Sequence, residues 1–310
     1  MQDTGTRQPW VRERAGAAEG VVTLTLTQPG RPVVVLDGAL LRGIDAALDE
    51  IGDDLRGFVL ASDSRVFVAG ANLEEVMGLD DAGLHRYLEF GSAVFARIAA
   101  LPCSTVAAIN GAALGGGLEL AMHCDHLIAL RPAPGANGAP GKPYPVGLPE
   151  AGLSICPGWG GTNMLPARMD PERAIELTAT GKTMSVLEAA EAGLIERLVD
   201  RPSDLLHQAR DLAARPKPRA AGEPRSIVDA DRRQGVVEAL ARVRVRGRGG
   251  GRGGLPATEA ARAVVSCVEA GLNGGWAAAL ARERERLVYL RGTEEGRRAI
   301  RAFFEKSGKK

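Results

Sequence analysis

Residues 110–125 read Asn110-Gly111-Ala112-Ala113-Leu114-Gly115-Gly116-Gly117-Leu118-Glu119-Leu120-Ala121-Met122-His123-Cys124-Asp125. The apolar run Thr105-Val106-Ala107-Ala108-Ile109 just before it reads as a buried strand, and Leu118 to Met122 as a helix. Three glycines occupy the junction, where they let the backbone approach a ligand closely as the helix begins. The unpaired N–H groups and dipole of such a helix start favour developing negative charge. Glu119 falls in this first turn among Leu118, Leu120, Ala121 and Met122, so the turn reads as buried. A carboxylate there is costly unless it has a partner or a task. Taken alone, a Gly-Gly-Gly turn is more often a tight connection, and a first-turn Glu more often an exposed partner of the helix dipole.

Upstream, Gly20 to Thr27 alternates Val22, Leu24 and Leu26 with threonines, the pattern of a half-buried strand. A turn follows at Gln28 to Pro32, then a short strand at Val33 to Leu36, an amphipathic helix at Leu40 to Ile51 and a buried strand at Gly57 to Ala61. Leu84, Tyr87, Leu88, Gly91, Phe95 and Ile98 keep helical spacing, and that helix stops at Leu101-Pro102. Downstream, His126 to Leu130 reads as a strand, Pro171 starts a helix, and Val186 to Ala192 forms another that ends at Gly193. Alternation of this kind specifies an α/β protein. Beyond about residue 200 strand signals vanish, and Trp276 to Leu290 and Glu294 to Phe304 read as amphipathic helices.

Two segments break the rhythm. Arg131 to Gly147 holds five prolines and four glycines, excludes regular structure and reads as either a flap or a surface excursion. Arg242 to Gly254 sets five arginines on a glycine chain and is similar to segments that bind RNA by charge and stacking. It is short and has no interleaved aromatics, so a flexible connector is the preferred reading. The organisation expected is a flexible N-terminus over 1–19, a core over 20–200, and a helical part over 201–310 with a linker at 242–254.

The whole chain has 310 residues, 45% hydrophobic and 25% charged, enough to bury a substantial core. A net charge of +1 excludes a global field for nucleic acid or acidic membrane, so neither partner is expected. Met1 to Ala18 is polar and no apolar run approaches a bilayer span, so neither secretion nor membrane insertion is expected. Cys103, Cys124, Cys156 and Cys267 lie far apart without metal-like spacing, which points to a reducing cytoplasm and no metal. The 40 glycines are nearly twice the ordinary share, whereas aromatic residues make only 4%.

Two further stretches join the first. In Val68-Ala69-Gly70-Ala71-Asn72-Leu73 a strand gives way to a helix through small residues, leaving N–H groups unpaired. In Leu148-Pro149-Glu150 and Pro157-Gly158-Trp159-Gly160-Gly161-Thr162 a second glutamate stands beside glycine-built backbone. Composition and spacing reach only an oxyanion site with two carboxylates. In this order, however, the three stretches resemble the crotonase superfamily, and within it the enoyl-CoA hydratases and the hydratase part of fatty-acid oxidation multifunctional enzymes. The resemblance covers about residues 20 to 200, and Ala302-Phe303-Phe304-Glu305-Lys306 looks like the family's C-terminal helix.

That resemblance implies a ClpP/crotonase-like spiral of ββα units with a helical C-terminal region. It implies hydration of trans-2-enoyl-CoA to 3-hydroxyacyl-CoA in β-oxidation or related acyl-CoA degradation. By the same resemblance, the N–H groups of Ala71 and Gly116 form an oxyanion hole for the thioester oxygen. Glu119 and Glu150 are the catalytic carboxylates and Gly158 helps place the water. Arg65, Ala69 and Lys306 lie near coenzyme A. No separate cofactor is implied, since coenzyme A is part of the substrate, and the partner expected is a second copy in a homotrimer or hexamer. Asn72 stands where the family often has Asp, and either residue can cap a helix. The 131–147 insertion lengthens the interval between the two glutamates, and no dinucleotide-binding Gly-x-Gly-x-x-Gly unit follows. The rival readings are an enoyl-CoA isomerase or other acyl-CoA crotonase, and a non-catalytic or RNA-binding homologue.

Overall fold

The computed structural model describes residues 10–12, 18–52, 54–135, 141–248 and 255–308. The chain runs β1 (Trp10–Arg12), β2 (Val21–Leu26), α1 (Gly38–Ile51), β3 (Gly57–Ser62), α2 (Leu73–Gly78) and α3 (Asp81–Ala99). It continues through β4 (Ser104–Ile109), β5 (Ala113–Leu114), α4 (Gly116–Met122), β6 (His126–Leu130), β7 (Pro145–Gly147) and a 3-10 turn at Glu150–Leu153. Next come α5 (Gly161–Arg168), α6 (Pro171–Thr180), β8 (Met184–Ser185), α7 (Val186–Glu191) and β9 (Arg197–Val199). The remaining elements are helical: α8 (Pro202–Ala213), α9 (Ala230–Arg248), α10 (Glu259–Gly292) and α11 (Glu294–Ser307).

Six strands form one sheet in the order β1-β2-β3-β4-β6-β9, parallel except for the β1–β2 pair. Both faces are covered, as a parallel sheet requires. Val22, Leu24, Phe58, Leu60, Ala107, Ile109 and Leu127 join the main core with residues of α1 and α3. Val21, Val59, Val106 and Ile128 on the other face pack with Leu205, Ala209 and Leu212 of α8. This corrects the half-buried reading of β2, in which even Thr23 is buried and accepts a hydrogen bond from Arg210 Nε at 3.1 Å. A small second sheet, β5-β7-β8, stands with the bridges Leu36–Ala71 and Val68–Ala113. Its three short strands and the two bridges bring the turns after Val68 and Ala113 together.

Several boundaries differ from expectation for identifiable reasons. Val33 to Leu36 forms no strand: Pro32 precedes it and Asp37 already caps α1, accepting from Leu40 N, so Leu36 alone is bridged. Residues 10–12, read as flexible, pair antiparallel with β2. The segment 131–147, read as lacking regular structure, ends in β7, where Pro145 opens the strand, a position that tolerates proline. Residues 136–140 of that segment lie outside the described residues. The Arg242–Gly254 connector is corrected in its first half, because α9 runs on to Arg248. Val236, Leu240 and Val243 recur at helical spacing and bury against Val268 and Leu272, which holds the helix. Residues 249–254 are outside the described residues.

The helix read from Trp276 is the second half of α10, and the kink sits at Gly275, whose φ is +81°. By length and composition α10 qualifies as a membrane span, contrary to the sequence reading. Its apolar residues serve packing instead: Ala260, Val264, Cys267, Val268 and Trp276 are buried in the protein's own core.

Candidate active site

The turn between β5 and α4 forms one wall. Gly115 has φ +52°, a conformation that favours glycine, and a Cβ there would lie 2.6 Å from Glu150 Oε1, so a side chain would displace that carboxyl group. A Cβ on Gly116 would lie 2.4 Å from the Trp159 ring, and one on Gly117 2.4 Å from the Val68 carbonyl. These glycines bring α4 close against two neighbouring segments. Gly115 N donates to Gly147 O at 2.9 Å, so β7 seats the turn despite the insertion before it. Helix α4 has no side-chain cap. Among the described residues the N–H groups of Gly116 and of Ala71, across the pocket, have no hydrogen-bond partner. Asn72 caps α2, its side chain accepting from Glu74 N and Glu75 N.

Glu119 is 1% exposed, as its apolar neighbours implied. Its Oε1 accepts from Trp159 N and Gly161 N, each at 2.8 Å. Burial first, then the nearby Glu283 and Glu150, push its pKa well above the ordinary carboxylate range. Glu150 opens the 3-10 turn, and its Oε2 is buried with no hydrogen-bond partner. Burial, with a smaller contribution from Glu283, raises its pKa to about 8. His123 backs Glu119, its Nδ1 2.9 Å from the Glu119 carbonyl oxygen, and burial lowers its pKa to about 4, so it is neutral. The Trp159 indole is held by a hydrogen bond from Nε1 to Leu88 O at 3.0 Å and by Tyr87 and Phe95, at 5.5 and 5.3 Å between centroids.

These groups surround a cavity of about 270 Å³. Ala69, Ala71, Gly116, Glu119, Glu150 and Gly158, all expected at the site, line it together. Its apolar part is closed by Leu73, Val76, Leu88, Leu153, Leu287 and Phe303. Arg291 on α10 ties this wall down by donating to Val76 O at 3.1 Å and Leu79 O at 2.6 Å. Arg65 and Lys306 are not brought to the cavity; both side chains stand exposed on the surface. No group of three metal-ligating side chains occurs among the described residues.

The sequence reading missed one residue of consequence. Glu283 on α10 is fully buried and accepts from Gly160 N at 2.5 Å, Thr162 N at 2.9 Å and Thr162 Oγ1 at 2.5 Å. Its signal lay in helical spacing, since it falls on the stripe of Trp276, Ala279, Leu287 and Leu290. A charge on a core-facing stripe marks a residue with a buried task.

A doubly covered parallel sheet, a second small sheet and paired glycine turns around buried carboxylates define an α/β protein of the crotonase fold. A family model described as enoyl-CoA hydratase/isomerase matches residues 16–231. YngF of Bacillus subtilis (strain 168), named as an enoyl-CoA hydratase/isomerase, is 37% identical over 199 residues, covering 63% of this chain and 72% of that protein. The crystal structure of an enoyl-CoA hydratase from Bacillus anthracis is 26% identical with a TM-score of 0.57, over 96% of this chain and 97% of that one. The human mitochondrial delta3-delta2-enoyl-CoA isomerase, 20% identical over 97% and 99% of the two chains, shares the fold with a TM-score of 0.66. The chain belongs to the enoyl-CoA hydratase/isomerase family, within the crotonase superfamily.

Proposed function

We propose that this protein is an enoyl-CoA hydratase, adding water across the double bond of a trans-2-enoyl-CoA to give the 3-hydroxyacyl-CoA in fatty-acid or related acyl-CoA degradation. The observation that carries the reading is that two buried carboxyl groups, Glu119 and Glu150, face one cavity together with the free N–H groups of Ala71 and Gly116. The thioester oxygen sits between those two N–H groups, which stabilise an enolate more than the ground-state carbonyl. Glu119, whose charged form two N–H donors favour against the cost of burial, is the base: it takes a proton from water as the water oxygen bonds to Cβ. The π electrons move onto the thioester oxygen. Glu150, whose Oε2 has no donor, is the protonated acid that delivers a proton to Cα as the enolate collapses. The unpaired N–H of Gly158 helps place the water.

Coenzyme A enters as part of the substrate, with no separate cofactor, and the exposed Arg65 and Lys306 serve its phosphates beside Ala69. The reading includes a homotrimer or hexamer, a cytoplasmic setting, and neither membrane nor nucleic acid as partner. An assay with crotonyl-CoA and longer trans-2-enoyl-CoAs is expected to give 3-hydroxyacyl-CoA. No hydration of any of them, with clear double-bond migration on a 3-enoyl-CoA, would replace this activity with isomerisation.

A further inference from the structure

Four consecutive residues, Trp159 to Thr162, are gripped from two sides. Trp159 N and Gly161 N donate to Glu119, whereas Gly160 N, Thr162 N and Thr162 Oγ1 donate to Glu283. The alternation follows from the turn itself, in which Gly160 takes φ +99° and successive N–H groups point to opposite sides. A Cβ at Gly160 would lie 2.1 Å from the Trp276 ring, so this glycine also lets α10 come close enough for Glu283 to reach. Glu283 is not among the residues that line the cavity. Burial raises its carboxyl above the ordinary range, and its three donors, the most on any of the three buried carboxyl groups around the turn, pull it back toward the charged form.

Among the described residues, the groups that share its surroundings bring no compensating cation. They are Glu119, Glu150, the buried thiols of Cys156 and Cys267, and neutral His123 behind Glu119. Its helical neighbours are engaged elsewhere: Arg284 pairs with Glu89 at 3.5 Å, and the Arg286 guanidinium lies 5.0 Å over the Tyr289 ring. Among the described residues no salt bridge reaches Glu283. Its charge therefore acts directly on the other two carboxyl groups through a medium of low dielectric constant.

We propose that Glu283 is a positioning residue for the chemistry at Glu119 and Glu150: it holds Gly160 and Thr162 so that Trp159 and Gly161 converge on Glu119, and it sets a negative charge behind both reacting groups. The proposal rests on the hydratase reading for its kinetic readout only. Removing the charge lets Glu150 lose its proton more easily. Shortening the arm keeps the charge but loosens the turn.

The test compares full-length wild-type protein with E283Q and E283D. The readouts are kcat, KM and the pH profile of crotonyl-CoA hydration, and the titration of Glu150 by NMR of protein labelled with [13C]glutamate, its resonance assigned by loss in E150Q. For E283Q, kcat is expected to fall about 10- to 100-fold with KM nearly unchanged, and both the Glu150 midpoint and the pH profile to move about one pH unit lower. In E283D the midpoint should move less than in E283Q while kcat falls by about tenfold. A folded E283Q whose Glu150 midpoint stays at the wild-type value overturns the proposal, whatever happens to its rate. Should E283Q not fold, a wild-type kcat in E283D overturns it. Should the wild type hydrate no enoyl-CoA, the hydratase reading falls, and the NMR midpoint alone then supports or overturns the role of Glu283.

Discussion

Burial raises both carboxyl groups, but Glu119 has two N–H donors that favour its charged form and the buried Oε2 of Glu150 has none among the described residues, an asymmetry that suits Glu119 to the proposed role of base and Glu150 to that of acid. Replacing either by glutamine should lower kcat by two or more orders of magnitude while changing KM little. Steady-state kinetics on crotonyl-CoA checks this, and near-normal turnover in either variant removes that residue from the mechanism. The pH profile follows from the same pair. In the proposed reaction Glu150 acts as an acid only while protonated, and burial raises its pKa to about 8, so kcat should decline as pH rises through that value. A rate that stays flat well above pH 8 would contradict the assignment.

At the scale of elements, the turn before α5 depends on a ring held by α3. A Cβ at Gly91 would lie 2.5 Å from Trp159 Nε1, where the indole donates to Leu88 O. G91A should therefore push the indole out of place, costing about 2 kcal/mol of stability by overpacking and lowering kcat through the Glu119 donors beside it. Denaturant unfolding and kinetics on the same sample measure both, and a variant with wild-type values in each would show that the ring is not a support. The main strands and helices were legible because their apolar residues repeat with one period. Glu119 and Glu150 were legible because each sits next to glycine-built turns. Glu283 was not, because Arg282, Arg284, Glu285 and Arg286 surround it in sequence and make it read as part of the polar face of an amphipathic helix. Strand β7 was hidden by the prolines before it. The end of α9 was hidden by arginine and glycine, although Val236, Leu240 and Val243 carry the helical period.

For the molecule as a whole, burying carboxyl groups makes stability depend on pH. The folded-state pKa of Glu150, about 8, lies above the ordinary unfolded value, so its contribution is fully present below that unfolded value. It is lost as pH rises through the folded pKa. Wild-type Tm should accordingly fall between about pH 5 and pH 8 relative to E150Q, by an amount corresponding to a few kcal/mol, and parallel Tm curves would refute the linkage. The cavity's chemistry is thus maintained against the stability of the fold. The grip of Glu283 on the 159–162 turn also bears on biosynthesis. Glu283 lies 123 residues beyond Gly160 and 121 beyond Thr162, so a ribosome delivers it long after the sheet and the first two glutamates have emerged. During that interval the turn that donates to Glu119 is anchored from one side only, and the second anchor arrives with α10, after every element that lines the rest of the turn.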